Sequence, residues 1–293
     1  MVTAWPERPR ILASYAYKPA ILHAITRGGG NVDLMVDSGA FTAHTVGKNV
    51  DLGEYVEFVN QHHKNITTAV VLDVIGDWRG TARNHERMLE TVTADVDVLP
   101  VWHSTSPINE LHRLCRTYPY IGIGGVVSMA KTVNTFMQHM IRAHKVAREY
   151  GTRLHGLGVT GNTAMMRLPW STVDSTAWRS GHMYGNLNLA DASGERLKLS
   201  AGEAIKDART AALLRAYGGD PREVARKNFG RSSSSGNGSA ESKWMDVAQA
   251  RSFMFLEQVM RQRNGSSARI YLACAPTYAV DRVLEAHRLG SPF

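Results

Sequence analysis

Cysteine is scarce: Cys115 and Cys274 are the only two in 293 residues, too few for a disulfide framework or a four-cysteine zinc site within one chain. Long apolar runs are missing as well. None approaches the ~20 residues that span a bilayer, and the opening MVTAWPERPR has no apolar stretch of the secretory kind. The expectation is a cytoplasmic protein with no membrane partner. No His-x-His follows the first apolar run and no other set of metal ligands stands out, so neither a metal nor a bound cofactor is expected. Acidic residues are the scarcer charge, 26 against 34 Lys and Arg, which leaves +8 at neutral pH. That balance favours a polyanionic partner through phosphate contacts and counterion release. The excess gathers in the later half, at Arg179, Arg209, Arg215, Arg222, Arg226, Lys227, Arg231, Arg261, Arg263 and Arg269. Taken one at a time, each reads first as solvated surface.

What is present is a globular composition, 43% hydrophobic and 20% charged, which sets aside disordered and fibrous classes. Eight short apolar runs follow one another: Ile11 to Tyr15, Leu34 to Asp37, Ala69 to Asp73, Val98 to Trp102, Tyr120 to Gly124, Leu154 to Val159, Thr172 to Asp174 and Ile270 to Cys274. Most are continuous rather than alternating, as parallel strands buried on both faces are. Segments of helical period lie between them. Asp51 reads as the N-cap of a helix carrying Leu52, Tyr55, Val56 and Val59; Ser106-Pro107 opens another; Val133 to Tyr150 forms a third that stops at Gly151. Strict strand and helix alternation means right-handed crossovers. The expected fold is therefore α/β, a (β/α)8 TIM barrel over residues 1–293 as a single domain with no zinc subdomain.

Two intervals are irregular. Residues 161–169 leave barely enough chain for a crossover helix. Residues 181–268 form a long insertion between the seventh and eighth strands, well beyond an ordinary connection. It contains GHMYGNLNLADASGERLKLS, which reads as a hairpin turning at Ala192-Ser193-Gly194. Two amphipathic helical stretches follow, split by GRSSSSGNGSAES at 230–242, a tract too small and polar to fold alone and expected to be a mobile loop.

In such a barrel the reacting groups stand at the C-terminal strand ends. There the sequence places Asp37-Ser38-Gly39-Ala40-Phe41, then Asp73 with Asp77 close behind, Trp102-His103-Ser104, Gly124-Gly125, Gly158, and Asp174-Ser175-Thr176. Three carboxylates at one mouth suit cleavage at an anomeric carbon, where one stabilises an oxocarbenium-like centre and another moves a proton to the leaving group. Crowding would drive their proton affinities apart. Each aspartate alone also reads as a helix cap or turn former. The glycines at 124, 125 and 158 would let a planar base lie against backbone, or simply make tight turns. His103 could face a base edge or pack behind the site.

These segments resemble the tRNA-guanine transglycosylase superfamily in content and in order. Val36-Asp37-Ser38-Gly39-Ala40-Phe41 resembles its D-[ST]-G-G-F segment, and Gly122-Ile123-Gly124-Gly125-Val126-Val127 its I-G-G-L-A-V segment. His155-Gly156-Leu157-Gly158-Val159-Thr160-Gly161, with Val173-Asp174-Ser175 about 13 residues on, is similar to the M-G-V-G segment that precedes the family's nucleophile. Arg179-Ser180-Gly181-His182-Met183-Tyr184 is similar to the R-N-G-x-L-F that follows it. The resemblance covers roughly residues 33–200. It implies that Asp174 is the nucleophile and Asp37 the proton carrier. It further implies that Asp73 and His103 meet the guanine edge, that Gly125-Val126 offer backbone contacts, and that Ser38, Gly39, Phe41, Gly124 and Gly158 complete the base site. His103 stands where the family has glutamine.

The family's C-x-C-x-x-C…H zinc site is missing, which makes the chain look more like the phage and bacterial branch that inserts 7-deazaguanines into DNA. On that resemblance the partners are DNA, favoured over tRNA, and a free 7-deazaguanine such as 7-cyano-7-deazaguanine as co-substrate. Arg179, Arg226, Lys227 and Arg231 would then contact the nucleic-acid backbone. Three rivals stay open: the same exchange on tRNA, a barrel hydrolase of N-glycosides with water as acceptor, and a non-catalytic nucleic-acid-binding barrel.

Overall fold

The computed structural model describes residues 5–104, 106–125, 133–159, 161–181, 186–200, 207–226, 229, 240–264 and 268–293. Two compact units are formed. One comprises Arg10–Ser175 with Ser267–Thr277, the other Met1–Pro9, Thr176–Ser266 and Tyr278–Phe293.

The first unit is a nearly closed, barrel-like parallel sheet of nine strands with helices between them. Its strands are β1 (Arg10–Ser14), β2 (Asp33–Asp37), β3 (Thr68–Val70), β4 (Asp97–Leu99), β5 (Val101–His103), β6 (Tyr120–Gly124), β7 (Arg153–Gly156), β8 (Thr172–Ser175) and, after the hairpin strands β9 and β10 of the other unit, β11 (Arg269–Cys274). The order is β4-β3-β2-β1-β11-β8-β7-β6-β5, so the two end strands, β4 and β5, are consecutive in the chain with Pro100 alone between them. Proline has no N–H to give a ladder, which is why a run expected to be one strand divides there. The chain nevertheless stays in register on both sides: β4 pairs with β3, β5 with β6, and Gly122 N donates to Pro100 O at 2.7 Å.

Two other runs end earlier than their composition suggests. β3 stops at Val70, although Val71 N still donates to Leu99 O. Beyond it, side chains take over the backbone: Asn84 Nδ2 donates to Leu72 O, and Thr81 Oγ1 accepts from Val74 N. β7 stops at Gly156, and the chain turns through Gly158 at φ +68°, a left-handed conformation that glycine alone adopts cheaply. Helices form where the periodicity places them, at Leu52–Gln61 behind the Asp51 cap and at Val133–Tyr150 before Gly151 at φ +69°. The helix expected to open with Pro107 as its first residue starts one residue later, Ile108–Thr117, with Pro107 itself at the cap. The tight 161–169 connection holds a short helix, Asn162–Arg167.

In the second unit the hairpin is β9 (Asn186–Ala190) with β10 (Arg196–Ser200), antiparallel, turning through Gly194 at φ +78°. Asp191 Oδ1 ties the turn by accepting from Ser193 N, Ser193 Oγ and Glu195 N. The helix Ala240–Asn264 begins inside the tract read as a loop: residues 240–242 are helical, and 230–239 lie outside the described residues. It is also not amphipathic, since every residue from Met245 to Met260 is buried. Its polar groups on the hairpin side explain part of this. Gln249 Oε1 accepts from Asn188 N, Ser252 Oγ accepts from Ala190 N, and Gln249 Nε2 donates to Trp178 O, so side chains cover hairpin backbone that would otherwise face water unpaired. Leu187 and Leu189 of β9 pack with Leu213, Leu214, Tyr217, Met245 and Ala248 into the core of this unit.

Among the described residues no helix is long and apolar enough to cross a membrane.

Candidate active site

Asp37 ends β2, level with Ser14 at the end of β1, and both side chains meet at the C-terminal mouth of the sheet. Gly39 N donates to Asp37 Oδ2 at 3.0 Å. That bond requires the chain to fold back at φ +78°, where a Cβ on Gly39 would lie 2.8 Å from both Ala16 N and Ser14 Oγ. Glycine is therefore dictated by space as well as by φ. Burial first, then the negative charge of Asp73 and, more weakly, of Asp174, push the Asp37 carboxyl up to about 6, against the opposing bonds from Gly39 and Ser14. Below them Tyr55, fully buried, shares its hydroxyl between Val36 O at 3.2 Å and Val70 O at 2.9 Å. Burial and the charges of Asp37 and Asp73 hold that phenol far above its ordinary value, so it stays neutral.

Asp73 lies in the connection three residues past β3, and its Oδ1 is 3.1 Å from His103 Nε2. Both atoms are buried, and the contact is too poorly aligned to count as a hydrogen bond. Burial disfavours the charged imidazole, but the Asp73 carboxylate outweighs it and raises His103 overall. Gly124 leaves room for that ring: a Cβ there would sit 3.2 Å from His103 Nδ1 and 3.0 Å from Val101 Cγ1. Gly125, at φ +71°, follows, and Ser104 Oγ donates to its carbonyl at 3.1 Å.

Asp174 is the third residue of β8, buried, and Gly158 N donates to its Oδ1 at 2.8 Å. On the same oxygen, at 3.3 Å, lies Nε2 of His155, a residue with no exposed surface. Asp77, by contrast, is the exposed N-cap of Trp78–Thr91, and the backbone N–H groups of Gly80 and Arg79 lower its carboxyl. It belongs to the helix.

The remaining expected residues are placed unevenly. Ser38 is buried, and Phe41 is exposed on the short helix Ala40–Thr45. Val126, Lys227 and Arg231 lie outside the described residues. Arg179, in the second unit, donates to Tyr278 OH at 2.6 Å, and Arg226 is compensated by Glu223 at 3.4 Å and Glu241 at 3.7 Å. Tyr55, Ser14 and the hydrogen-bonding role of His155 were not read from the sequence. For His155 a signal existed: Thr172 and Asp174, two apart on β8, share a face, and His155 pairs with Thr172 in register. Among the described residues, no three His, Cys, Asp or Glu side chains are grouped to hold a metal ion.

A scan against protein-family models and a search of curated proteins each gave no match for this chain.

Proposed function

We propose that the protein exchanges guanine in DNA for a 7-deazaguanine base by double displacement at the sugar C1′. The observation that carries this reading is a raised carboxyl at a C-terminal strand end, Asp37, that feels the charges of Asp73 and Asp174. Asp37 is held near 6 by burial and by its two neighbours, and so keeps a proton to give close to neutral pH. Asp174, whose Oδ1 accepts from the Gly158 amide, acts as the nucleophile. In the first step an Asp174 oxygen bonds to C1′, the C1′–N9 bond breaks, and the Asp37 proton goes to the departing guanine. In the second, N9 of the 7-deazaguanine attacks C1′, its proton passes to Asp37, and the ester to Asp174 breaks. Asp73 Oδ2 and His103 face the base, with Gly124 and Gly125 offering backbone.

Counting β4 and β5 as one strand interrupted at Pro100 gives eight parallel strands, which supports the (β/α)8 reading with 181–268 as an insertion. DNA is favoured over tRNA by the resemblance to the branch without a zinc site, and the net charge of +8 suits either polyanion. In a duplex the target base must leave the stack first.

The test is incorporation of labelled guanine and of 7-cyano-7-deazaguanine into DNA and tRNA side by side. DNA should take up label with the intact protein, and Asp174→Asn should lower the rate by at least ~10⁴-fold while DNA binding persists. Release of guanine with water as sole acceptor would favour an N-glycoside hydrolase instead. Full exchange by Asp174→Asn would remove the mechanism.

A further inference from the structure

We infer that His155 is a positioning residue that selects which oxygen of Asp174 reacts, and that Thr172 and Tyr120 lock its tautomer; this rests on the reading of Asp174 as nucleophile. Both contacts seen at Asp174 fall on Oδ1, the Gly158 amide at 2.8 Å and His155 Nε2 at 3.3 Å. Oδ2 is the oxygen left to attack. The imidazole is fully buried, and its other nitrogen, Nδ1, lies 2.7 Å from Thr172 Oγ1, which is in turn 2.6 Å from Tyr120 OH.

The order of donors in this chain follows from its end. A bare lone pair on Nε2 facing a carboxylate oxygen would be repelled, so Nε2 carries hydrogen. With hydrogen on Nε2 alone, Nδ1 accepts from the Thr172 hydroxyl, whose oxygen accepts from Tyr120. The two O–H dipoles then point toward the imidazole, a polarised series whose members strengthen one another. Nε2 sits off the hydrogen-bond line to Oδ1, so at 3.3 Å the ring acts on that oxygen through its dipole rather than through a directed hydrogen bond. Misplacement of a reacting atom by ~1 Å can cost ~10²-fold in rate, and that is the scale of effect assigned to His155. The family segment that resembles this one has methionine at this place, so the device belongs to this chain.

The experiment compares His155→Met, His155→Gln and Thr172→Val in the DNA exchange assay, with Asp174→Asn alongside and thermal melting of each variant. Methionine keeps volume without a donor; glutamine keeps an N–H donor. The expected result is a kcat lower by about 10- to 100-fold in His155→Met with KM for the free base unchanged. Part of that loss should return in His155→Gln, and Thr172→Val should show a smaller fall in kcat. A packing role predicts that methionine is tolerated at least as well as glutamine. Equal kcat in both His155 variants, or a loss that appears in KM, overturns the inference while an inactive Asp174→Asn leaves the proposed function standing. Should the His155 variants fail to fold, undiminished kcat in Thr172→Val overturns it. Exchange retained by Asp174→Asn would bring down both.

Discussion

Asp33 and Asp37 stand at the two ends of the same five-residue strand, on the same face, and the protein treats them in opposite ways. At the N-terminal end Asp33 is neutralised by Arg10 at 3.4 Å and Arg269 at 3.9 Å, and it accepts hydrogen bonds from Thr67 and Tyr271 hydroxyls at 2.9 Å each. At the C-terminal end Asp37 has other carboxylates for company and rises to about 6. One end of the sheet pairs its carboxylate with cations and hydroxyls, and the other leaves like charges to raise a carboxyl toward neutral pH. A barrel whose N-terminal end serves stability and whose C-terminal end serves chemistry is arranged in this way.

Substituting the two aspartates in turn should separate these roles. Asp37→Asn should lower exchange by ~10²- to 10⁴-fold, the usual weight of a general acid–base group, without loss of stability. Because the folded value of Asp37 lies above its ordinary 3.8, ionising it opposes folding: the penalty is absent below about pH 4, grows to about pH 6 and stays constant above, at most ~3 kcal/mol. The partial opening of Asp37 to solvent keeps the real figure below that ceiling, and Asp37→Asn should melt higher than the parent at pH 8. Asp33→Asn should do the reverse, lowering stability by about 2 kcal/mol with kcat nearly intact. Chemical denaturation of both variants at pH 5 and pH 8, beside exchange rates, checks the pair; equal effects on rate would break the contrast.

The smallest effect concerns Asp73. In the proposed reaction protonated Asp37 starts the first step, so kcat/KM should fall as pH rises through about 6. Removing the Asp73 charge lowers the proton affinity of Asp37, and Asp73→Asn should shift that fall to lower pH. A midpoint unmoved or moved upward would show that the two carboxylates do not share a site.

Much of the sheet is legible in the sequence, because strands buried on both faces need continuous apolar runs: the run Tyr120–Gly124 matches its strand to the residue, and the runs of β1, β2 and β11 match within one. The misses have local causes. Pro100 divides a run whose side chains all suit a strand, and β3 ends where side chains of Trp78–Thr91 claim the backbone. The helix Ala240–Asn264 hides its burial because Gln249 and Ser252 look solvent-facing until the hairpin supplies backbone groups for them. In the site, each aspartate at a strand end was visible, while their unequal environments were not: the cap role of Asp77 and the raised carboxyl of Asp37 depend on which backbone N–H groups and charges the fold brings near. His155 was visible only as part of a motif, since its partners, Thr172 and Asp174, come from β8.

The most direct test is to quench the protein with guanine-containing DNA before any acceptor base is added and to map the attachment point by mass spectrometry. A deoxyribosyl ester on Asp174, cleared on adding 7-cyano-7-deazaguanine, is the predicted result. Exchange proceeding with the adduct on another residue, or with none formed, would contradict the assignment.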